Sequence, residues 1–216
     1  MITKFGSETA LLLIDVQVGV DDLVHWGGPN GRRNNPDAEA RLAALLDGWR
    51  TRDLPVFWTL HNSREQYSPL RADVPGGASK PGFEPRSNEG VVRKDINGGF
   101  IGTNLEIMMR RAGVRRVVVG GFFTNFCVET TVRHGGNLGY DMYLAEDACA
   151  TSNRIGFDGT DYDPQLVHDI AVASMHGEFC TALKTTDILM LIDQDAPQLR
   201  RVQGNEWAST VLKAAA

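Results

Sequence analysis

Cysteine is scarce in this chain. Three residues in 216, Cys127, Cys149 and Cys180, form an odd, widely spaced set with no Cys-x-x-Cys or Cys/His grouping. That excludes a disulfide framework or a structural zinc site as the basis of the fold and implies a reducing, cytoplasmic setting. Also missing is any basic block: the formal net charge is -5, with acids and bases mixed along the sequence. Such a chain is a poor match for polyanions, so neither nucleic acid nor a membrane surface is an expected partner. Long apolar runs are lacking as well. The run Leu11–Ile14 stops at Asp15, too short for a signal peptide and far below the roughly 18 residues of a membrane span. Gly120-Gly121 opens no dinucleotide fingerprint, and no cofactor is expected.

What is present fits one globular domain over residues 1–216, with residues 197–216 as a tail suited to oligomerisation. Short continuous apolar segments, Ala10–Ile14, Pro55–Leu60, Val117–Gly120 and Met142–Ala145, predict strands buried on both faces. Val91–Arg93 is a weaker strand and Phe179–Leu183 a last edge strand. Helical spacing lies between them. Asn35-Pro36 predicts an N-cap and first turn, followed by Leu42, Leu45, Leu46 and Trp49 on one face. Thr103 to Glu106 has the form of a capping box, with Gly113 closing the helix. Asp163-Pro164 opens another, with Val167, Ile170, Ala171 and Ser174 on one side and Gly177 at its end. Strand–helix alternation predicts an α/β fold: a doubly wound, mostly parallel six-stranded sheet with helices on both faces. Ligands in such sheets bind beyond the carboxyl ends of the strands. Two long loops, 16–35 and 62–90, follow the first and second strands there.

Three chemical groups stand at strand ends. Cys127 follows Val117-Val-Val-Gly-Gly-Phe-Phe-Thr-Asn-Phe, a buried strand, a tight turn and the start of a helix. Helix N-terminal amides stabilise a thiolate and accept charge from a tetrahedral intermediate, although a buried structural cysteine fits the position too. Asp15 ends the first strand and Lys94 the weaker one. Each alone reads equally as a capping acid or a solvated cation. Together, an acid–base partner and a cation beside a thiol are what nucleophilic acyl transfer requires.

In order, Leu-Leu-Ile-Asp15-Val-Gln17, Lys94 with Phe100, Gly102 and Thr103, and Gly121-x-x-Thr124-x-x-Cys127-Val128 resemble the isochorismatase-like cysteine hydrolases, from Thr9 to Ile192. The resemblance implies an Asp15–Lys94–Cys127 triad and a cis peptide at Phe122–Phe123. It also implies an oxyanion hole from the backbone N–H groups of Phe123 and Cys127, and a homodimer or homotetramer. It further implies a hydrolase acting on a small amide, ureide or N-carbamoyl substrate through an acyl-thioester. Cleavage of the isochorismate vinyl ether is the alternative within the resemblance. That chemistry needs no thiol, so Cys127 favours the amidase branch. A non-catalytic thiol sensor is a third reading.

Nicotinamide-cleaving relatives carry a metal on an Asp-x-His at the end of the second strand. Here the stretch reads Thr59-Leu60-His61, so no metal is expected. Gln17, Trp26, His61, Ser63, Phe100 and Thr124 are the expected pocket residues, with Tyr67 a further aromatic that could wall the pocket. Arg32, Arg33 and Arg64 could grip a substrate carboxylate, although surface arginines are usually solvated.

Overall fold

A computed structural model describes residues 4–193; the expected oligomerisation tail at 197–216 lies outside the described residues. The core is a six-stranded, wholly parallel sheet in the order β3-β2-β1-β4-β5-β8. Its strands are β1 (Thr9–Ile14), β2 (Val56–His61), β3 (Gly90–Lys94), β4 (Arg116–Phe122), β5 (Asp141–Ala150) and β8 (Thr181–Leu183). The short strands β6 (Arg154–Ile155) and β7 (Asp161–Tyr162) pair antiparallel in a separate hairpin. The helices are α1 (Leu23–Gly27), α2 (Ala38–Arg50), α3 (Leu105–Arg111), α4 (Glu129–Asn137), α5 (Pro164–Met175) and α6 (Thr185–Ile192). No described helix is long and apolar enough to cross a membrane.

The alternation of β1 builds two cores. Leu11 and Leu13 face a layer with Leu42, Leu45 and Trp49 of α2 and Ile188 and Leu191 of α6. Ala10, Leu12 and Ile14 face the other layer, with Leu105 and Met109 of α3, Val132 of α4 and Met175 of α5. All five β1 residues are fully buried, so truncating any of the leucines costs about 2–5 kcal/mol. The chain runs outward from β1 in both directions, and β1 and β4 form the central pair. The crevice beyond their carboxyl ends is therefore the topological switch point. Gly121 lets them approach: at φ 136°, a Cβ there would lie 2.1 Å from the Ile14 carbonyl oxygen.

Several element ends differ from expectation. Asn35 does not cap α2, whose N-cap is Asp37. Its amide instead donates to the carbonyls of Glu146 and Cys149 at 3.1 and 2.7 Å, tying the first loop to β5. The 103–106 capping box does not form: the Thr103 hydroxyl donates to Gly99 at 2.6 Å, and Glu106 pairs with Arg110 on its own helix. Helix α5 is turned by one position, burying His168, Ala171 and Met175 and leaving Ile170 61% exposed. The His168 ring is drawn inward by the Thr124 hydroxyl at 2.9 Å. Strand β5 runs past Ala145 because Glu146 and Asp147 are satisfied where they stand: Glu146 faces Lys184, and Asp147 accepts from the Thr185 amide at 2.8 Å.

Candidate active site

Asp15, the first residue beyond β1, has φ 52°, a left-handed conformation rare for non-glycine residues. Its amide donates to Thr59 at 3.1 Å, and its buried carboxylate accepts from the Thr59 hydroxyl (2.6 Å) and from Lys94 Nζ (2.5 Å). Lys94 closes β3 in register with His61 at the end of β2. Parallel neighbours in register share a face, so the two side chains meet, Nζ lying 3.0 Å from His61 Nδ1. The third contact of Nζ is Cys127 Sγ, at 3.2 Å. Cys127 sits in a wide helical turn, Thr124–Val128, that leads into α4. The preceding Phe122–Phe123 peptide bond is cis.

The Lys94 side chain is fully buried and that of Asp15 nearly so. Two charges in such surroundings persist only as a paired, hydrogen-bonded set. An ammonium has three N–H donors, and Asp15, Cys127 and His61 use all of them. His61 then offers Nδ1 as acceptor and is neutral. Burial, reinforced by the Lys94 charge, lowers its affinity for a proton. Burial also opposes the charge on Lys94, but Asp15 and then Cys127 outweigh it and raise its pKa. Burial and Asp15 push the Cys127 thiol up, against the pull of Lys94. Burial and Asp15 thus act against the thiolate that the helix N-terminus was expected to stabilise, and Cys127 Sγ lies 3.7 Å from Asn97 Oδ1.

Asp15, His61 and Cys127 carry ligand atoms within 4.8 Å of one another, a spacing that suits a metal ion. The group they converge on is the Lys94 ammonium. The aspartate that would complete an Asp-x-His pair is Thr59, whose hydroxyl is committed to Asp15.

The cleft above these groups has a volume of about 460 Å³. Asp15, His61 and Cys127 line it, with Trp26 and Ser63 as expected from the sequence. Trp26 packs on Phe123 with ring centroids 5.0 Å apart. Three expected lining residues lie elsewhere. Gln17 is a buried clamp, donating to the His61 and Gly77 carbonyls (3.0 and 2.9 Å) and accepting from the His61 amide (2.7 Å). Thr124 points at His168, and Phe100 stacks on Tyr140 in the core under α4. Tyr67 is 83% exposed and does not line this cleft. Asn97, Phe126 and Arg154 line the cleft without having been singled out. Arg154 did carry a signal, since it follows β5 at the sheet's carboxyl edge. Arg32, Arg33 and Arg64 are engaged with Asp161, Glu39 and Asp95.

The family model for the isochorismatase domain matches residues 9–187. The uncharacterized isochorismatase family protein YrdC of Bacillus subtilis is 37% identical over 180 residues, covering 83% of this chain and 94% of that protein. An isochorismatase-family crystal structure from Chromobacterium violaceum superposes with a TM-score of 0.81 at 41% identity, covering 88% of this chain and 97% of that one. The ureidoacrylate amidohydrolase RutB of Acinetobacter baylyi is 41% identical over 67 residues, which is 31% of this chain and 27% of that protein. On this evidence the chain is a hydrolase that belongs to the isochorismatase family.

Proposed function

We propose that the protein hydrolyses the C–N bond of a small amide, ureide or N-carbamoyl compound, with Cys127 as nucleophile, Asp15 as acid–base and Lys94 as the cation between them. The observation that carries this is one buried ammonium lying 2.5 Å from a carboxylate and 3.2 Å from a thiol at the floor of a cleft. The likeness to ureidoacrylate amidohydrolase supports the amide reading over the vinyl-ether one.

Burial and Asp15 favour the thiol, so in this scheme its proton leaves as attack begins. Asp15 takes it, while Lys94 holds the carboxylate and stabilises the developing thiolate. Sγ adds to the carbonyl carbon, and the oxygen's charge is received by the backbone amides of Phe123 and Cys127. Asp15 returns the proton to the departing nitrogen as the C–N bond breaks. Water, deprotonated by the same carboxylate, then releases the acyl or carbamoyl group from sulfur. The test is a screen of primary amides, ureides and N-carbamoyl acids for ammonia release, with pyruvate release from isochorismate as counter-assay. Cys127→Ala is expected to lower kcat roughly 10⁴-fold or more with an unchanged unfolding profile. A folded variant that kept full ammonia release would end the scheme.

A further inference from the structure

Among the charged groups facing the cleft, Arg154 is set apart by its partners. It stands at the start of the β6–β7 hairpin and is half-buried. One terminal nitrogen donates to the Trp26 carbonyl at 2.9 Å, and the guanidinium lies over the Phe126 ring, 4.7 Å from its centroid. Both contacts fix its orientation and neither neutralises it. A guanidinium has five N–H donors, of which this spends one. No carboxylate of the described residues lies within 4.0 Å of it, and the acids closest along the fold are occupied elsewhere. Asp161, beside its strand partner Tyr162, is held by Arg32 at 2.7 Å. Glu129, which shares an outer groove with Arg154, is held by Arg133 at 2.8 Å.

Burial alone lowers its hold on a proton, with no counter-charge acting against it. A half-buried, unpaired arginine is costly unless an anion completes it. The remaining charges on the cleft do not supply one. Asp15 is bound to Lys94, and Glu65 is exposed at the rim, where water screens it.

We infer that Arg154 is a substrate-recognition residue that binds a carboxylate at the end of the substrate away from the scissile bond. The substrate class narrows accordingly, from amides and ureides in general to ureido acids or carboxylate-bearing amides. This rests on the amidohydrolase reading for which bond is cut, but not for what the arginine holds. The aromatic platform and the Trp26 carbonyl pre-orient the fork, so recognition by paired hydrogen bonds costs little ordering.

The test compares N-carbamoylglycine and N-carbamoyl-β-alanine with N-propylurea and N-butylurea, neutral compounds of similar length. The expected wild-type preference for the acids is about 10- to 100-fold in kcat/KM, the range of a charged hydrogen-bonded pair. In Arg154→Gln that ratio collapses towards one, mainly through KM, and Arg154→Lys restores part of it. A purely structural arginine would instead depress acids and ureas together and leave the ratio intact. An absent preference, or one unchanged in Arg154→Gln, overturns the inference while leaving the hydrolase mechanism standing. If no compound is turned over, calorimetry on Cys127→Ala with and without Arg154→Gln decides. Acid binding that depends on Arg154 sustains the carboxylate site and sinks the amidohydrolase reading; its absence sinks the site.

Discussion

The two walls of the cleft are built by different means. The inner wall is made of strand ends. Asp15, His61 and Lys94 hold their places because β1, β2 and β3 run in fixed register, and the charges of Asp15 and Lys94 have no water to share. The outer wall is made of the 16–35 and 62–89 loops, and salt bridges fasten it. Lys80 reaches Asp21 at 2.6 Å and Glu39 at 2.8 Å, Arg33 grips the same Glu39 at 2.7 and 2.8 Å, and Arg50 holds Glu89 at 2.7 Å. Ions in the outer wall complete one another, so each is a fastener with nothing left to offer. The inner ions are balanced around a thiol, and that is where the proposed reactivity resides.

Three substitutions probe this contrast, in falling order of effect. Asp15→Asn removes the proposed base and is expected to cut turnover about 10³-fold. The same change removes an anion that raises the thiol's pKa, so alkylation of Cys127 by iodoacetamide at fixed pH should become faster. Slower alkylation would mean that Asp15 does not govern the thiol. Thr59→Val takes away one hydrogen bond to the Asp15 carboxylate and leaves the ammonium in place. A loss near 10-fold in kcat is expected, from the roughly 1.5 kcal/mol such a bond contributes. An unaffected kcat would show that Lys94 alone orients the acid.

Glu39→Gln touches only the outer wall and should leave the chemistry intact while costing about 1–2 kcal/mol in urea unfolding at neutral pH. Its pH dependence follows from sign. Burial opposes the Glu39 charge, but hydrogen bonds from Arg33 and then Lys80 prevail and lower its pKa from 4.5 to about 2. A depressed acid contributes stability above its unfolded pKa and loses it as pH falls through the folded one. The gap between wild type and variant should therefore narrow from pH 4.5 towards 2. A constant gap would assign the cost to packing instead.

The same division explains what could be read from the sequence. Strands buried on both faces leave unbroken apolar runs, so Asp15, the charge that ends one, was conspicuous. Lys94, on a strand exposed at alternate residues, and Cys127, in the turn after β4, stood out only by their order with it. Capping and lining residues were not, because their roles depend on partners distant in the chain. Asn35 spends its amide on β5 rather than on the helix it precedes. Gln17 clamps His61 and Gly77, 44 and 60 residues away, and so turns from the cleft. Phe100 follows two glycines that carry the chain back into the core. The arginines that looked available are paired, whereas Arg154, whose place after β5 was passed over, has no carboxylate partner among the described residues. Pairing is a property of the folded chain, and no local pattern reports it.

Gly121 has a consequence for evolution and engineering of the cleft. The proposed acid and nucleophile follow different strands, so β1 and β4 must come together for the proposed proton transfer from Cys127 to Asp15. At Gly121 that approach leaves no room for even a methyl group. A position with no functional group thus sets the tolerance on the reaction coordinate: alanine there would wedge the two central strands apart at their carboxyl ends. Attempts to broaden the cleft can vary exposed positions of the outer-wall loops, but the approach of the two central strands is fixed by an absent side chain.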